Sequence, residues 1–475
     1  MGAGPVAPDV PGEMSRRLGL WLGLAVAGAM LLAPAPAGLE PAAWRVAAVT
    51  ALMAIWWVSE AIPLTVTAFL PFILFPILGV ASAAETAADY YSPILFLLLG
   101  GAFVAIAIEK AGLHRRVALA VARRGGATPL GLVLAFAAST ALVSMLVSNT
   151  STALIMTPVA LALITAGRLE PRLAAALVLS VAWGANIGGL GTVVGSPTNA
   201  IAAGLIERSL GIKLSFLQWM AFGIPVVLVA VPLAALVLTR VLRVPGGVLD
   251  REAVLAGIGH SGPLSALERR VIPVVGALVA AWVIGPVVKP LLGLQPFDDA
   301  VWAMLATLVL FILPRGDGRP VLSAADVPAA PWAMIMMFGG GLALAAGITD
   351  SGLAEWIGDR LEALGDLPVW ALVALVVLVV IIVTEFASNV ATAAGFLPVV
   401  AAVDIATGVP PLALAMPAAL AASWGFMMPA GTGPNAIAYG TGRVRVGQMV
   451  RTGVVFDLLG VPLLVGACIA VASLL

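Results

Sequence analysis

Long apolar stretches follow one another along nearly the whole chain. Each approaches the roughly 20 residues that a membrane crossing needs, although several are shorter: 18–38, 43–62, 64–80, 129–147, 172–190, 218–242, 271–293, 299–313, 367–384 and 452–474. Other apolar segments are interrupted by glycine, proline and polar residues: 93–110, 151–167, 331–348, 390–404 and 411–428. Such interruptions are typical of re-entrant hairpins and broken helices. The pattern predicts an all-α polytopic membrane protein with about eleven membrane helices and a pair of re-entrant hairpins.

The same stretches suggest how the chain is organised. We expect a flexible N-terminal lead at 1–17, a first half at 18–240, a cytoplasmic linker at 241–270 and a second half at 271–475. Arg16 and Arg17 precede the first apolar run, and arginines cluster again in 240–270, which favours a cytoplasmic location for both under the positive-inside rule. We therefore predict a multi-pass protein of the cytoplasmic (inner) membrane.

Composition narrows the range of functions. The chain is 61% hydrophobic and 10% charged, whereas soluble domains are about a quarter charged. Its net charge is zero, so nothing indicates a nucleic-acid partner. Cys468 is the only cysteine, which excludes intrachain disulfides, and His114 and His260 are too few for a zinc site. With so few titratable groups, we do not expect an enzyme.

A polar motif appears once in each half. Ser148-Asn149-Thr150-Ser151-Thr152-Ala153 is repeated, 240 positions later, as Ser388-Asn389-Val390-Ala391-Thr392-Ala393, and Pro158 and Pro398 follow at the same spacing. The same shift carries Gly100-Gly101 onto Gly340-Gly341 and Gly112-Leu113 onto Gly352-Leu353. A repeat of this length is a duplicated half-protein rather than a solenoid unit. In a membrane protein, matching interruptions in two halves indicate a transport site built from an inverted repeat.

A second motif pair lies farther along each half. Gly195-Ser196-Pro197-Thr198-Asn199 is matched by Gly431-Thr432-Gly433-Pro434-Asn435. Glycine lets the backbone approach an ion closely, and the hydroxyls of Ser196 and Thr432 can contact a ligand. The two asparagines have two equally weighted interpretations: they contact the ligand, or they hold the loop backbone in place.

Asn149 and Asn389 are predicted at membrane depth, each at the end of an apolar helix. An amide there that lacks partners costs about 1–3 kcal/mol, and unwound backbone is tolerated only where it lines a cavity or lies inside protein. Freed carbonyls can coordinate a cation, while the N-terminus of the following half-helix attracts an anion. The alternative is that these residues only join helices through hydrogen bonds. Duplication of the whole motif argues against that alternative.

Several other residues invite an interpretation. Glu385 lies three residues before Ser388, and an ionisable group in an apolar segment is often functional. It could couple protons or pair with a cation, but we favour a carboxylate held by backbone amides or facing water at the base of a hairpin.

Trp56 and Trp57 are interpreted as anchors at the membrane interface. The paired glycines are interpreted as sites of close helix packing.

The two Ser-Asn motifs resemble the paired signature of the divalent-anion:sodium symporters, the INDY-type dicarboxylate transporters. Three further stretches agree: Trp57-Val58-Ser59-Glu60-Ala61-Ile62-Pro63-Leu64, Phe338-Gly339-Gly340-Gly341-Leu342-Ala343-Leu344-Ala345 and Thr384-Glu385-Phe386-Ala387-Ser388-Asn389. The match runs from about residue 43 to the C-terminus. The combination is specific to the family, although no single piece is.

The resemblance implies a homodimer, surrounded by membrane lipid, whose mobile transport domains carry a small dianion across by elevator-type alternating access. It implies sodium as the coupled ion, with one site formed by Ser144, Ser148, Asn149 and Gly195 and another by Thr384, Ala387, Asn389 and Gly431. Substrate carboxylates would contact Asn149, Thr150, Ser196, Ser388, Asn389 and Thr432. Two departures from the family pattern affect only the substrate: Val390 replaces a hydroxyl residue, and Gly433 stands where proline is common.

We therefore predict a sodium-coupled symporter of C4-dicarboxylates such as succinate, malate or fumarate. Within transport, the alternatives are a sodium-independent dicarboxylate exchanger and a sulfate transporter of the same family. A membrane enzyme centred on Glu385 and a channel are more distant alternatives. The sequence offers Glu385 no companion base or nucleophile, and the repeated interrupted helices favour a carrier over a channel.

Overall fold

The computed structural model describes residues 13–122, 128–249, 262–291, 298–316, 318–360, 368–407, 409, 412–429 and 431–472. Residues 1–12 of the predicted lead (1–17) and 250–261 of the predicted linker (241–270) lie outside these ranges. Over the described ranges the regular secondary structure is helical, and extended pairing is limited to an isolated bridge between Pro314 and Pro320. The predicted class, an all-α polytopic membrane protein, is confirmed.

The described N-terminal residues, up to 249, form twelve helices, and the first begins inside the predicted lead. They are α1 Glu13–Leu32, α2 Pro41–Ser59, α3 Leu64–Thr67, α4 Leu70–Leu78, α5 Ala83–Asp89, α6 Pro93–Ala111, α7 Leu113–Ala122, α8 Pro129–Ser144, α9 Asn149–Ala166, α10 Pro171–Gly189, α11 Pro197–Leu210 and α12 Phe216–Val241. Many begin with proline at the first helical position, where its missing N–H is no loss.

The described C-terminal part adds nine α-helices and a 3₁₀ turn at Ala324–Ala329. The α-helices are α13 Ala266–Leu291, α14 Asp299–Ile312, α15 Trp332–Asp350, α16 Leu353–Arg360, α17 Val369–Phe386, α18 Asn389–Thr407, α19 Ala415–Ala421, α20 Gly433–Gly440 and α21 Val446–Ala472.

Among the described residues, eight helices are long and apolar enough to cross a membrane. They are α2, α6, α9, α10, α12, α15, α17 and α21. Shorter apolar helices cover Leu64–Leu78, Pro129–Ser144, Asp299–Ile312 and Asn389–Asp404. The count of about eleven crossings stays a prediction.

The sequence repeat is also a repeat of structure. Helices α6 to α12 and α15 to α21 follow one another in the same order, with matching breaks. Helices α8 and α9 are joined by the short segment 145–148, and α17 and α18 by Ala387 and Ser388. Each pair is a helical hairpin with a Ser-Asn motif at its turn. The prediction that Asn149 and Asn389 lie at helix ends is confirmed, and the re-entrant course of the hairpins stays a prediction. A further break, at the second motif of each half, separates α10 from α11 and α19 from α20.

Four segments differ from the prediction. The stretches 93–110, 151–167, 331–348 and 390–404 were expected to be interrupted, but they form the continuous helices α6, α9, α15 and α18. The glycines of α6 and α15 allow close packing instead. A Cβ on Gly100 would lie 2.7 Å from the Cβ of Ala303, and a Cβ on Gly340 would lie 2.2 Å from the carbonyl oxygen of Ala68. Small residues at such contacts let membrane helices approach, so the interpretation of these glycines as packing sites is confirmed.

Helix α10 lies at the centre of the molecule, and 94% of its span is buried. It packs most closely on α8, where a Cβ on Gly184 or Gly188 would meet the carbonyl oxygens of Ala137 at 2.5 Å or Ala141 at 2.1 Å. Trp56 and Trp57 are also buried. Their indole nitrogens donate to the carbonyl oxygens of Leu20 and Leu64, each at 3.2 Å. The prediction that they anchor the interface is therefore wrong, because α1 and the chain after α2 cover them.

Candidate functional site

The first hairpin turn is held by one serine and one asparagine. The Ser144 hydroxyl, at the end of α8, donates to the carbonyl oxygen of Ala185 on α10 at 2.7 Å. Asn149 begins α9. When its amide nitrogen faces Ser144, it donates to the Ser144 hydroxyl at 2.8 Å, to the Ala185 carbonyl at 3.1 Å and to the Gly195 carbonyl at 3.2 Å. This arrangement satisfies both groups, because the hydroxyl donates once and accepts once.

The break between α10 and α11 brings further oxygens to the same place. A Cβ on Gly195 would lie 2.6 Å from the Gly189 carbonyl oxygen and 3.1 Å from that of Ser144. Only glycine leaves room for these carbonyls. Asn199 donates to the carbonyls of Gly189 at 2.6 Å and Thr192 at 2.8 Å. Asn199 therefore holds the loop, and its structural interpretation is confirmed.

The second half repeats this arrangement. The Thr384 hydroxyl, near the end of α17, lies 2.7 Å from the Ala422 carbonyl oxygen and 2.9 Å from the side-chain oxygen of Asn389. Asn435 donates to the carbonyls of Gly425 at 3.3 Å and Met428 at 3.1 Å. The structural interpretation of Asn435 is confirmed in turn.

Gly431 and Ala387 lie at the edges of this second arrangement. A Cβ on Gly431 would lie 3.4 Å from the Met428 carbonyl oxygen and 3.5 Å from that of Glu385. Ala387 ends α17, in an extended conformation. Each half thus contains a hydroxyl, a side-chain amide and several backbone carbonyls around a broken helix. Unwound carbonyls of this kind coordinate sodium in transporters.

Ser148 and Ser388 cap the helices that follow them. Their hydroxyl oxygens accept from the backbone amides of Ser151 and Ala391, each at 3.2 Å. Each hydroxyl therefore keeps its proton for another acceptor. Ser196 precedes α11, is buried, and forms no cap bond to that helix.

The two halves meet at Thr432. Its buried hydroxyl oxygen accepts from the Asn186 side chain on α10 at 2.9 Å and from the Asn435 backbone amide at 3.2 Å. A Cβ on Gly433 would lie 2.4 Å from the Thr150 hydroxyl. The N-terminal ends of α9 and α20 are therefore neighbours. Helix N-termini present free amides and partial positive charge, which favours anions.

The structure brings together some predicted residues more closely than others. Asn149 donates to the Ser144 hydroxyl and to the Gly195 carbonyl, Thr384 contacts Asn389, and Thr150 lies beside the helix that Thr432 caps. Among the described contacts, none joins Ser196 or Ser388 to the Thr150–Thr432 pair.

Asn186 and the carbonyls of Ala185 and Ala422 were not predicted. Asn186 could have been identified from the sequence, because it is a polar side chain within the apolar helix α10. Backbone carbonyls could not, because every residue has one.

Glu385 is a structural carboxylate. It is buried, and its two oxygens accept from the backbone amides of Phe426, Met427 and Met428, the last two at 3.0 Å. These residues lie in the segment between α19 and α20. The favoured interpretation of Glu385, a carboxylate held by backbone amides, is confirmed.

Comparisons with known proteins show the family of this chain. Residues 15–474 match the family described as the sodium:sulfate symporter transmembrane region. The chain is 34% identical to the sodium-dependent dicarboxylate transporter SdcS of Staphylococcus saprophyticus, over 95% of this chain and 91% of that protein. It is also 34% identical to the sodium-dependent high-affinity dicarboxylate transporter 3 of Caenorhabditis elegans, over 87% of this chain and 81% of that protein.

A solved structure shares the fold. MtrF of Neisseria gonorrhoeae, described as one of a class of antimetabolite efflux pumps, aligns with a TM-score of 0.62 over 98% of this chain and 96% of its own, at 13% identity. A helical membrane protein with the same broken-helix site in each of two repeats is a secondary transporter. The chain belongs to the sodium:sulfate symporter family, the divalent-anion:sodium symporters that its motifs resemble. It is therefore a transporter and not an enzyme, as expected.

Proposed function

We propose that this protein is a sodium-coupled symporter of C4-dicarboxylates such as succinate, malate and fumarate. The relatives named as sodium-dependent dicarboxylate transporters support both the ion and the substrate class. The observation that carries the proposal is the duplicated site. Ser144 and Thr384 make the same hydrogen bond to a carbonyl at 2.7 Å, and Asn199 and Asn435 each hold two loop carbonyls.

The proposed sodium sites are the oxygen-rich turns of the two halves. The first uses Ser144, Ser148, Asn149 and Gly195, and the second uses Thr384, Ala387, Asn389 and Gly431. The carbonyls around Gly195 and Gly431 supply oxygen ligands of the kind that coordinate sodium in transporters. One ion in each half would balance the charge of a dianion. The contribution of each entering sodium, about 2.3 kcal/mol per 100 mV of membrane potential, would then offset the cost of bringing in the two negative charges.

The proposed substrate site lies between these ions. Thr432 supports this role because its hydroxyl oxygen already accepts two hydrogen bonds, so its proton is available to a carboxylate. Ser388 offers a proton in the same way. The remaining proposed contacts are Asn149, Thr150, Ser196 and Asn389. Bound sodium adds positive charge beside the anion, so each ligand increases the affinity for the other.

The proposal includes a homodimer in the cytoplasmic membrane that works by elevator-type alternating access. The dimer, the membrane and the transport mechanism are proposed on the basis of the family resemblance. Chemical cross-linking in native membranes tests the dimer, and a single band of monomer mass at every cross-linker concentration would contradict it.

A sulfate transporter is the second candidate, because the description of the matching family names sulfate as a substrate of sodium symport. Sulfate and a dicarboxylate share a double negative charge, but a C4-dicarboxylate places its two charges farther apart.

The test is uptake of labelled succinate into proteoliposomes, with an inward sodium gradient and then with potassium in place of sodium. Uptake only with sodium, competed by malate and fumarate but not by sulfate, is the expected result. Equal uptake with both cations, stimulated by internal dicarboxylate, would identify an exchanger. Sodium-driven uptake of sulfate without succinate uptake would establish the second candidate.

A further inference from the structure

Asn186 is a polar side chain inside the buried helix α10. The residue is 1% exposed, and its side-chain nitrogen donates to the Thr432 hydroxyl oxygen, in the other half of the protein, at 2.9 Å. Among the residues that the structure describes, no donor meets its side-chain oxygen. A buried amide that is only partly satisfied costs free energy. The role of this side chain therefore has to come from its bond to Thr432.

The orientation of this amide determines where the Thr432 hydroxyl proton can go. The Thr432 oxygen accepts from the Asn186 side chain and, at 3.2 Å, from the Asn435 backbone amide. These two donors occupy the lone pairs of the oxygen, so its own proton points to a third group. If the amide oxygen of Asn186 faced Thr432 instead, the hydroxyl would donate to that oxygen, and no proton would remain for a carboxylate.

The hydroxyl is held where the two halves meet. Thr432 caps α20, and a Cβ on the next residue, Gly433, would lie 2.4 Å from the hydroxyl of Thr150 in the first turn of α9. The N-terminal ends of both helices attract anions. A free hydroxyl proton between them adds a directed donor to that attraction.

The bond between the halves has no counterpart on the other side. The alanine carbonyls that accept from Ser144 and Thr384 are each followed by a buried polar residue, Asn186 in the first half and Ser423 in the second. The shorter Ser423 hydroxyl has no partner among the described residues. The duplicated site is therefore asymmetric, because a side chain from the opposite half fixes the Thr432 hydroxyl only.

We propose that Asn186 is a positioning residue for the dianion: by donating to Thr432, it directs the Thr432 hydroxyl proton to one carboxylate of the substrate. The inference rests on the proposed function in taking Thr432 as a substrate contact. Asn186 lies outside both duplicated motifs, and neither Asn186 nor Thr432 is among the proposed sodium ligands. Anion affinity should therefore depend on this bond, and sodium affinity should not.

Two substitutions of Asn186 remove the donor in different ways. Asn186→Ser gives α10 the residue of the second half, and its hydroxyl can bond within the helix, as Ser180 does to the Leu177 carbonyl at 2.7 Å. Asn186→Leu fills a similar volume without a polar atom. We expect each variant to raise the dissociation constant for labelled succinate, measured on purified protein in saturating sodium, about fivefold, the effect of losing one neutral hydrogen bond. Ser180→Ala, at another buried polar position of α10, is the matched control and should bind succinate as wild type does.

Two further measurements separate positioning from a merely structural role. The sodium-dependent rise in Tm without succinate should be the same in Asn186→Ser as in wild type. In protein that carries Thr432→Val, Asn186→Ser should change succinate binding by less than about twofold, because the bond between the two residues is already lost. Thr432→Ser, which keeps the hydroxyl, should bind succinate within about threefold of wild type.

The outcomes distinguish this inference from the proposed function. Wild-type protein that binds sulfate and not succinate contradicts the proposed function, and the same variants measured with labelled sulfate then test the inference. Wild-type protein that binds neither anion overturns both. Unchanged anion affinity in the Asn186 variants, a fivefold loss that persists beside Thr432→Val, or an equal loss of the sodium effect on Tm overturns the inference. Either Asn186 variant suffices if the other fails to fold.

Discussion

Ser144 and Thr384 lie 240 positions apart in the chain, yet each donates its hydroxyl proton to the carbonyl of an alanine at 2.7 Å. Ala185 lies four residues before the end of α10, and Ala422 directly follows the end of α19. Each hydroxyl also contacts the asparagine five residues later, at 2.8 and 2.9 Å. The duplicated gene segment has therefore conserved the hydrogen bonds of a turn as well as its sequence, which is the reason for assigning an ion to each half.

The two motif asparagines should be essential for transport. We expect Asn149→Ala and Asn389→Ala each to abolish sodium-dependent succinate uptake without loss of protein in the membrane, because each removes a proposed sodium ligand and substrate contact together. The measurement is initial uptake rate normalised to protein amount. Leu154→Ala and Ile382→Ala, on exposed faces of α9 and α17, are matched controls and should transport normally. Wild-type uptake by either asparagine variant would contradict the site assignment.

The hydroxyl at position 384 should matter more than its methyl group. Thr384→Val keeps the shape but leaves the Ala422 carbonyl without its partner, at a cost of about 1–3 kcal/mol. We expect the sodium concentration for half-maximal uptake to rise by about tenfold or more. Thr384→Ser, which keeps the hydroxyl, should stay within about threefold of wild type. Equal behaviour of the two variants would show that the hydroxyl bond does not shape the ion site.

Gly433 should be coupled to Thr150 across the two halves. A Cβ at position 433 would lie 2.4 Å from the Thr150 hydroxyl, so Gly433→Ala must displace one helix end. We expect the succinate KM to rise about tenfold, as a misfit of 1–3 kcal/mol implies. In a double-mutant cycle, Thr150→Ala and Gly433→Ala should be less than additive, because the first removes the atom that the second meets. Strict additivity would contradict this contact.

Val390 should influence which dianion is carried. It is the second residue of α18, next to Asn389, and is partly buried. Val390→Thr adds a donor of nearly equal volume, so we expect the ratio of succinate to sulfate uptake to change while the sodium dependence stays the same. Competition assays with a panel of dianions measure this ratio. An unchanged profile would indicate that position 390 does not face the substrate.

Sequence periodicity and motif duplication predicted the helical fold and the helix ends at both Ser-Asn motifs correctly, because apolar length and helix-breaking residues are local signals. The predicted interruption of the glycine-rich stretches 93–110 and 331–348 was wrong, because glycine in a membrane helix allows close packing as readily as it breaks the helix. The carbonyls of Ala185 and Ala422 could not be predicted, because any residue supplies one.

The central claim, an ion site in each half, is tested most directly by sodium binding without substrate. An ion that binds only the folded state stabilises it by about 2.7 kcal/mol per site at 100 times its dissociation constant. Purified wild-type protein should show a rise in Tm with sodium at constant ionic strength, with potassium as the balancing cation. Asn149→Ala or Asn389→Ala should lose part of the rise, and the double variant should lose all of it. A sodium effect on Tm that survives in the double variant, or none in the wild type, would contradict the account.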